Sequence, residues 1–175
     1  RKAAYDVGLY DQQGCLSPQL VYAEEGGAVT PKDFAALLAQ GLAHSQTVLP
    51  RGPITPDVST VIRKVRDEAE WQALAGKDMV LHASPQGTDW TVIYDADPTF
   101  IPSPLYRTIR VKPLQNLEQL SEVLGLWRPY LEAVGVAAST ERMITIADTL
   151  GALGVSRICP IGSMQLPPLS WRHGG

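Results

Sequence analysis

Along the chain the spacing of apolar residues switches between a period of two and a period of three to four, and each switch marks an element. Residues 19–24, Gln-Leu-Val-Tyr-Ala-Glu, are partly β-branched or aromatic and bounded by Pro18 and Gly26-Gly27, which predicts a strand. Thr30-Pro31-Lys32-Asp33 then supplies a cap residue, a proline at the first helical position and an acid in the first turn. Phe34, Leu37, Leu38 and Leu42 follow at helical spacing, so a helix is expected over 31–45. After the proline-broken connector 49–53, a second start signal at Thr55-Pro56-Asp57 opens a helix to Leu74, with Val58, Val61, Ile62, Val65 and Ala69 on one face.

Two apolar runs, 79–83 and 90–94, flank the turn-rich Ser84-Pro85-Gln86-Gly87-Thr88-Asp89, a connection short enough to require an antiparallel pair. Residues 96–106 contain Pro98, Pro102 and Pro104 and are expected to form an ordered loop. Arg107-Thr108-Ile109-Arg110-Val111-Lys112 alternates and predicts a half-exposed strand. Asn116 is the expected cap of a helix carrying Leu117, Leu120, Val123 and Leu124, after which residues 131–137 predict a small buried strand. Ser139 or Thr140 opens a helix through Met143, Ile144, Ala147 and Leu150, stopped by Gly151 or Gly154, and 155–159 predict a last strand before a proline-rich tail. This order is that of an α/β domain with a mixed sheet. There is no internal repeat and no low-complexity tract.

At 175 residues, 45% hydrophobic and with a net charge of -3, the chain is expected to be one domain with its own core. Fifteen basic residues scattered among 18 acidic ones argue against a nucleic-acid partner, and Arg63-Lys64-Val65-Arg66 beside Asp67-Glu68 predicts a solvated helix face. No apolar run approaches the ~18 residues of a membrane span, and no signal peptide is visible. Cys15 and Cys159 form no disulfide framework, so the cytoplasm is the expected compartment.

His44, His82 and His173 lie too far apart for metal-ligand spacing, and no metal is expected. His82, in an apolar run, predicts a satisfied core or edge-strand histidine. Gly26-Gly27 lacks the further glycines and Lys-Ser/Thr of a phosphate loop, and Glu24-Glu25 and Glu68/Glu70 are expected to be surface charges. Cys15 stands apart, in the polar segment Tyr10-Asp11-Gln12-Gln13-Gly14-Cys15-Leu16-Ser17-Pro18. A nucleophilic thiol needs such a setting: exposure, an adjacent glycine that lets a substrate approach, and amide donors for thiolate and oxyanion. An incidental loop cysteine has the same local composition, and both readings stand at this point. Cys159, in Arg157-Ile158-Cys159-Pro160, is expected to serve packing.

Residues 11–18, Asp-Gln-Gln-Gly-Cys-Leu-Ser-Pro, followed by Leu20-Val21-Tyr22-Ala23-Glu24, resemble the nucleophile segment of the fatty acyl-CoA reductases of the LuxC type, known from bacterial luminescence operons and members of the aldehyde dehydrogenase superfamily. The resemblance recurs at 103–111, Ser-Pro-Leu-Tyr-Arg-Thr-Ile-Arg-Val, and at 154–164, Gly-Val-Ser-Arg-Ile-Cys-Pro-Ile-Gly-Ser-Met. It implies an aldehyde-dehydrogenase-like catalytic domain over 1–175, a mixed, mostly parallel sheet flanked by helices. It further implies that Cys15, in a loop with Gln13 and Gly14, attacks a fatty acyl-CoA, that the Cys15 amide is one oxyanion donor, and that NADPH reduces the acyl-enzyme to the aldehyde. A homo-oligomer and acyl-transfer proteins are the implied partners.

In that superfamily a cofactor-binding domain, an oxyanion-stabilising asparagine and a glutamate base precede the nucleophile, whereas 14 residues precede Cys15 here and the chain begins at Arg1. The expectation is therefore a catalytic-domain piece of a longer enzyme, with the dinucleotide-binding domain outside this chain and no aldehyde formed by the chain alone. The superfamily also places a ribose-binding glutamate ahead of a Gly-Pro pair, but Thr99-Phe100-Ile101-Pro102 precedes Ser103-Pro104 here, so no cofactor residue is carried over and His173 is left unassigned. Two other readings stay in view: an oligomerisation or docking module with an inert Cys15, and a small thioester hydrolase.

Overall fold

Residues 2–8, for which the apolar pattern predicts no element, form helix α1 (Lys2–Gly8) in the computed structural model, which describes residues 1–117 and 119–171. Seven residues are too few to show a helical period, and such a helix is marginal by itself. It is held by burying Ala4 and Val7 in the main core. The end of the tail, 172–175 with His173, lies outside the described residues.

Both threonine–proline starts open helices, α2 (Pro31–Val48) and α3 (Pro56–Leu74). Thr30 Oγ1 accepts the Asp33 amide at 3.1 Å and Thr55 Oγ1 that of Val58 at 3.4 Å, each satisfying a donor that the helix itself leaves orphaned. Strands β1 (Val21–Glu24), β2 (Met79–Ala83), β3 (Thr91–Asp95) and β4 (Thr108–Leu114) form one sheet in the order β1-β4-β3-β2. β2 and β3 are the expected antiparallel pair, whereas β3–β4 and β4–β1 are parallel. Parallel neighbours need a crossover, and the proline-rich loop between β3 and β4 provides it without a helix. Tyr22 fastens this loop by donating from its hydroxyl to Pro98 O at 2.8 Å.

α1 and α2 cover one face of the sheet, where Leu38 and Leu42 pack with Val92, Tyr94, Ile109 and Val111. α3 packs against β2. The basic run on α3 is not wholly solvated. Arg63 and Lys64 are exposed, but Arg66 donates to Gly87 O, Ser84 Oγ, Trp90 O and Thr91 Oγ1, pinning the β2–β3 turn. β4 also differs from the half-exposed strand that its alternation predicts. It is interior to the sheet, and its polar positions hold enclosed charges: Lys112, fully buried, donates to Asp95 Oδ2 and Asp97 O, both at 2.5 Å.

The C-terminal part comprises α4 (Gln119–Leu124), β5 (Ala133–Val136), α5 (Met143–Ala152) and β6 (Arg157–Pro160), with β5 and β6 forming a separate parallel pair. Asn116 Oδ1 accepts the Gln119 amide at 3.2 Å, as a cap should, and Gly154, at φ 92°, ends the turn after α5. β5 is half-buried rather than buried, because two strands leave much of each other open. Leu114, Leu120, Leu124, Ile146 and Leu150 make a second core at the end of β4.

Candidate active site

The segment from Tyr10 to Pro18 reaches Cys15 through an unusual backbone. Tyr10, Asp11 and Gln12 all have positive φ, at 54°, 53° and 64°. Leu105, Tyr106 and Arg107 form a second such run, at 69°, 53° and 60°. Left-handed backbone costs roughly 1–2 kcal/mol per residue with a Cβ, so two runs of three require outside support. The runs support each other. Arg107 Nη2 lies 2.6 Å from Asp11 Oδ1, and Gln12 Oε1 accepts the Thr108 amide at 2.9 Å. Asp11 Oδ2 accepts the Gly52 amide at 2.9 Å, and Arg107 Nη1 donates to Gln46 Oε1 and Leu49 O, each at 3.0 Å. Ser103 Oγ shapes the second run by accepting the Leu105 amide and donating to Thr108 O.

Beyond these turns, Ser17 N donates to Gly14 O at 2.9 Å, which closes a turn with the Cys15 thiol exposed on it. The amide of Gln13 is engaged by Tyr10 O at 2.9 Å and is not free to bind an oxyanion; that of Cys15 bonds no acceptor among the described residues. Gly14 is tightly enclosed: a Cβ there would stand 3.0 Å from Gln165 Oε1 and 3.3 Å from Ser17 Oγ. Gln165 Nε2 donates to Ser17 Oγ at 2.7 Å and thereby joins the tail to the thiol loop.

The tail is itself shaped by buried charge. Arg157 donates to Met164 O at 2.6 Å and Ser163 O at 2.7 Å, while Asp6 on α1 accepts the amides of Gly162 at 2.5 Å and Met164 at 3.1 Å. Burial raises the Asp6 pKa, and the two amide bonds and Arg157 oppose that rise. The segments 103–111 and 154–164 thus both reach the segment 11–18 that carries the exposed thiol, the first directly and the second through Gln165. Gln12 and Gln165 are the site residues that the sequence reading did not single out. Gln12 lies inside the segment 11–18 and Gln165 directly follows 154–164, and that adjacency is the signal the sequence carries.

Other candidates fall elsewhere. Cys159 is half-buried on β6, and burial raises its pKa. His82 sits on edge strand β2 as expected but is not satisfied, since Nε2 is buried without a hydrogen-bond partner. A groove of about 480 Å³ runs past Lys2, Phe34, Val136 and Ile161, and Cys15 is not in its lining. Among the described residues no cluster of His, Cys, Asp or Glu could hold a metal, and no helix is long and apolar enough to cross a membrane.

Gly26-Gly27 and the start of α2 do not form a phosphate loop. Gly26-Gly27 precede α2, but Thr30 caps that helix and the Asp33 carboxylate occupies its first turn, where a phosphate would be repelled.

The chain matches, over residues 1–175, the family model described as acyl-CoA reductase (LuxC). Among curated proteins nothing matches it. Its fold is similar to that of an NAD-dependent benzaldehyde dehydrogenase from Corynebacterium glutamicum, with TM-score 0.59 and 12% identity over 91% of this chain and 35% of that one. It is also similar to a Delta-pyrroline-5-carboxylate dehydrogenase from Mycobacterium tuberculosis, with TM-score 0.57 and 16% identity over 91% of this chain and 31% of that one. At such identities the likeness shows the fold, which is that of the aldehyde dehydrogenases. The chain spans about a third of the length of these two structures.

Proposed function

The chain belongs to the acyl-CoA reductase (LuxC) family, and on that premise we propose that Cys15 is the thiol that takes the acyl group from acyl-CoA. The observation that carries this reading is that both other segments fasten the loop of an exposed thiol whose own amide has no acceptor among the described residues. In the proposed step the Cys15 sulfur, as thiolate, attacks the thioester carbonyl. A bond from Sγ to the acyl carbon forms, the carbon–sulfur bond to CoA breaks, and the CoA thiolate leaves and takes up the proton given up by Cys15. One thioester replaces another, so little free energy separates the two sides, and the amide of Cys15 is one donor that this loop offers to the transient oxyanion.

The overall activity we propose for the protein carrying this chain is reduction of a long-chain acyl-CoA to the aldehyde with NADPH. The start of α2 is capped by Thr30 and carries the Asp33 carboxylate, so it is not the place where that cofactor's phosphates would be held. The test is release of CoA on mixing with a long-chain acyl-CoA. A burst of one CoA per chain, lost in Cys15→Ser at pH 7, is the expected result. Steady release of fatty acid without a nicotinamide would replace this reading with a hydrolase, and no CoA release would leave Cys15 an inert residue of a docking module.

A further inference from the structure

Gln12 is fully buried, although its neighbour Gln13 is exposed. Its backbone is left-handed, at φ 64°, and its carboxamide is hydrogen-bonded at both ends. Nε2 donates to Pro18 O at 2.8 Å and Oε1 accepts the Thr108 amide at 2.9 Å. One side chain therefore closes the loop from residue 12 to residue 18 around Cys15 and fastens the closed loop to the first residue of β4.

We infer that Gln12 is a positioning residue for Cys15, setting the direction of the thiol toward the acyl carbon without touching the substrate. The inference rests on Cys15 being the acylated thiol. The chemistry of the site asks for a primary amide, which is a donor at one end and an acceptor at the other in a fixed plane. A carboxylate can only accept and would set an anionic oxygen against Pro18 O. A protonated carboxyl group, in contrast, has the shape of the amide and the same donor and acceptor, and burial raises the pKa of a carboxyl placed there.

Two substitutions in the full-length protein test this, with hexadecanoyl-CoA as the probe and iodoacetamide alkylation of Cys15 as the measure of thiol access. In Gln12→Met both bonds are lost, and misdirection of a nucleophile by about an ångström costs on the order of 10²-fold in rate. The expected result is a loss of roughly tenfold or more in the acylation rate at saturating substrate, with KM and the alkylation rate within about threefold of the native protein. In Gln12→Glu the same loss is expected at about pH 8, and the ratio of variant to native rate should climb back toward one as the pH falls to about 5.5 and the introduced carboxyl takes up its proton. A native acylation rate in Gln12→Met, a loss confined to KM, or a Gln12→Glu ratio that stays flat with pH overturns the positioning role. Acylation of the native protein at a residue other than Cys15 overturns instead the reading on which the inference rests.

Discussion

Leu42, Val92, Ile109 and Val111, each at most 1% exposed, hold α2 to the sheet by apolar burial, whereas Asp6 and Gln12 hold the segment before Cys15 by hydrogen bonds to residues 96 to 158 positions away. The two kinds of attachment do different things. Apolar burial is nondirectional and roughly proportional to area, so it fixes the sheet firmly but tolerates small shifts. Hydrogen bonds from backbone amides to side-chain carboxamide and carboxylate oxygens are directional, and they keep two left-handed turns in conformations that the chain would otherwise leave. The sheet, with its buried Lys112–Asp95 pair, thus supplies stability, and the polar contacts before Cys15 hold the loop that carries one thiol.

The largest effect that would sharpen this contrast is expected inside the sheet. Asp95→Ala removes the carboxylate beside the fully buried Lys112 and should lower the unfolding free energy by about 3–5 kcal/mol, because an ammonium is left enclosed without its counter-charge. The urea midpoint measures it, and acylation by the protein that remains folded should change little. A collapse of the acylation rate in that folded fraction would erase the division between the regions.

A smaller effect on stability, with a larger one on rate, is expected at the thiol loop. In Gly14→Ala the new methyl meets the Gln165 amide and Ser17 Oγ. Gln165 is a flexible side chain and can swing aside, so the change in stability should stay within about 1 kcal/mol. Its bond to Ser17 would be lost, and the acylation rate should fall several-fold while the urea midpoint shifts only by what that small stability change requires. Equal losses in both measurements would show that the loop is ordinary packing.

The smallest effect belongs to the partly exposed pair of Glu24, on β1, and Arg142. Its hydrogen bond with Arg142 holds the Glu24 pKa below the ordinary carboxylate value. The stabilisation is therefore present above that ordinary value and is lost as the pH falls through the lower folded value. Glu24→Gln should cost about 0–1 kcal/mol at neutral pH, less in high salt, with acylation unaltered.

The long helices and the hairpin were legible because their signals are local: a Thr-Pro start, a helical period, a turn between two apolar runs. α1 was not, because seven residues carry too little periodicity and tertiary burial decides the matter. The alternation in β4 was read correctly as a strand but wrongly as half-exposed, since a sequence does not reveal that Asp95 waits beside Lys112. At the candidate site the three segments could be recognised from resemblance, whereas their contacts could not. Gln12 meets Thr108 and Gln165 meets Ser17 only after the chain has folded, and nothing local in either glutamine marks the partner.

Cys15 and Cys159 provide an internal comparison for the central claim, one thiol exposed on the polar loop and the other half-buried on β6 with its pKa raised. The most direct measurement is the position of the acyl mass, by peptide mapping, after brief mixing with a long-chain acyl-CoA. The account predicts the acyl group on Cys15 and none on Cys159. An acyl group on Cys159, or spread over both thiols, would contradict it.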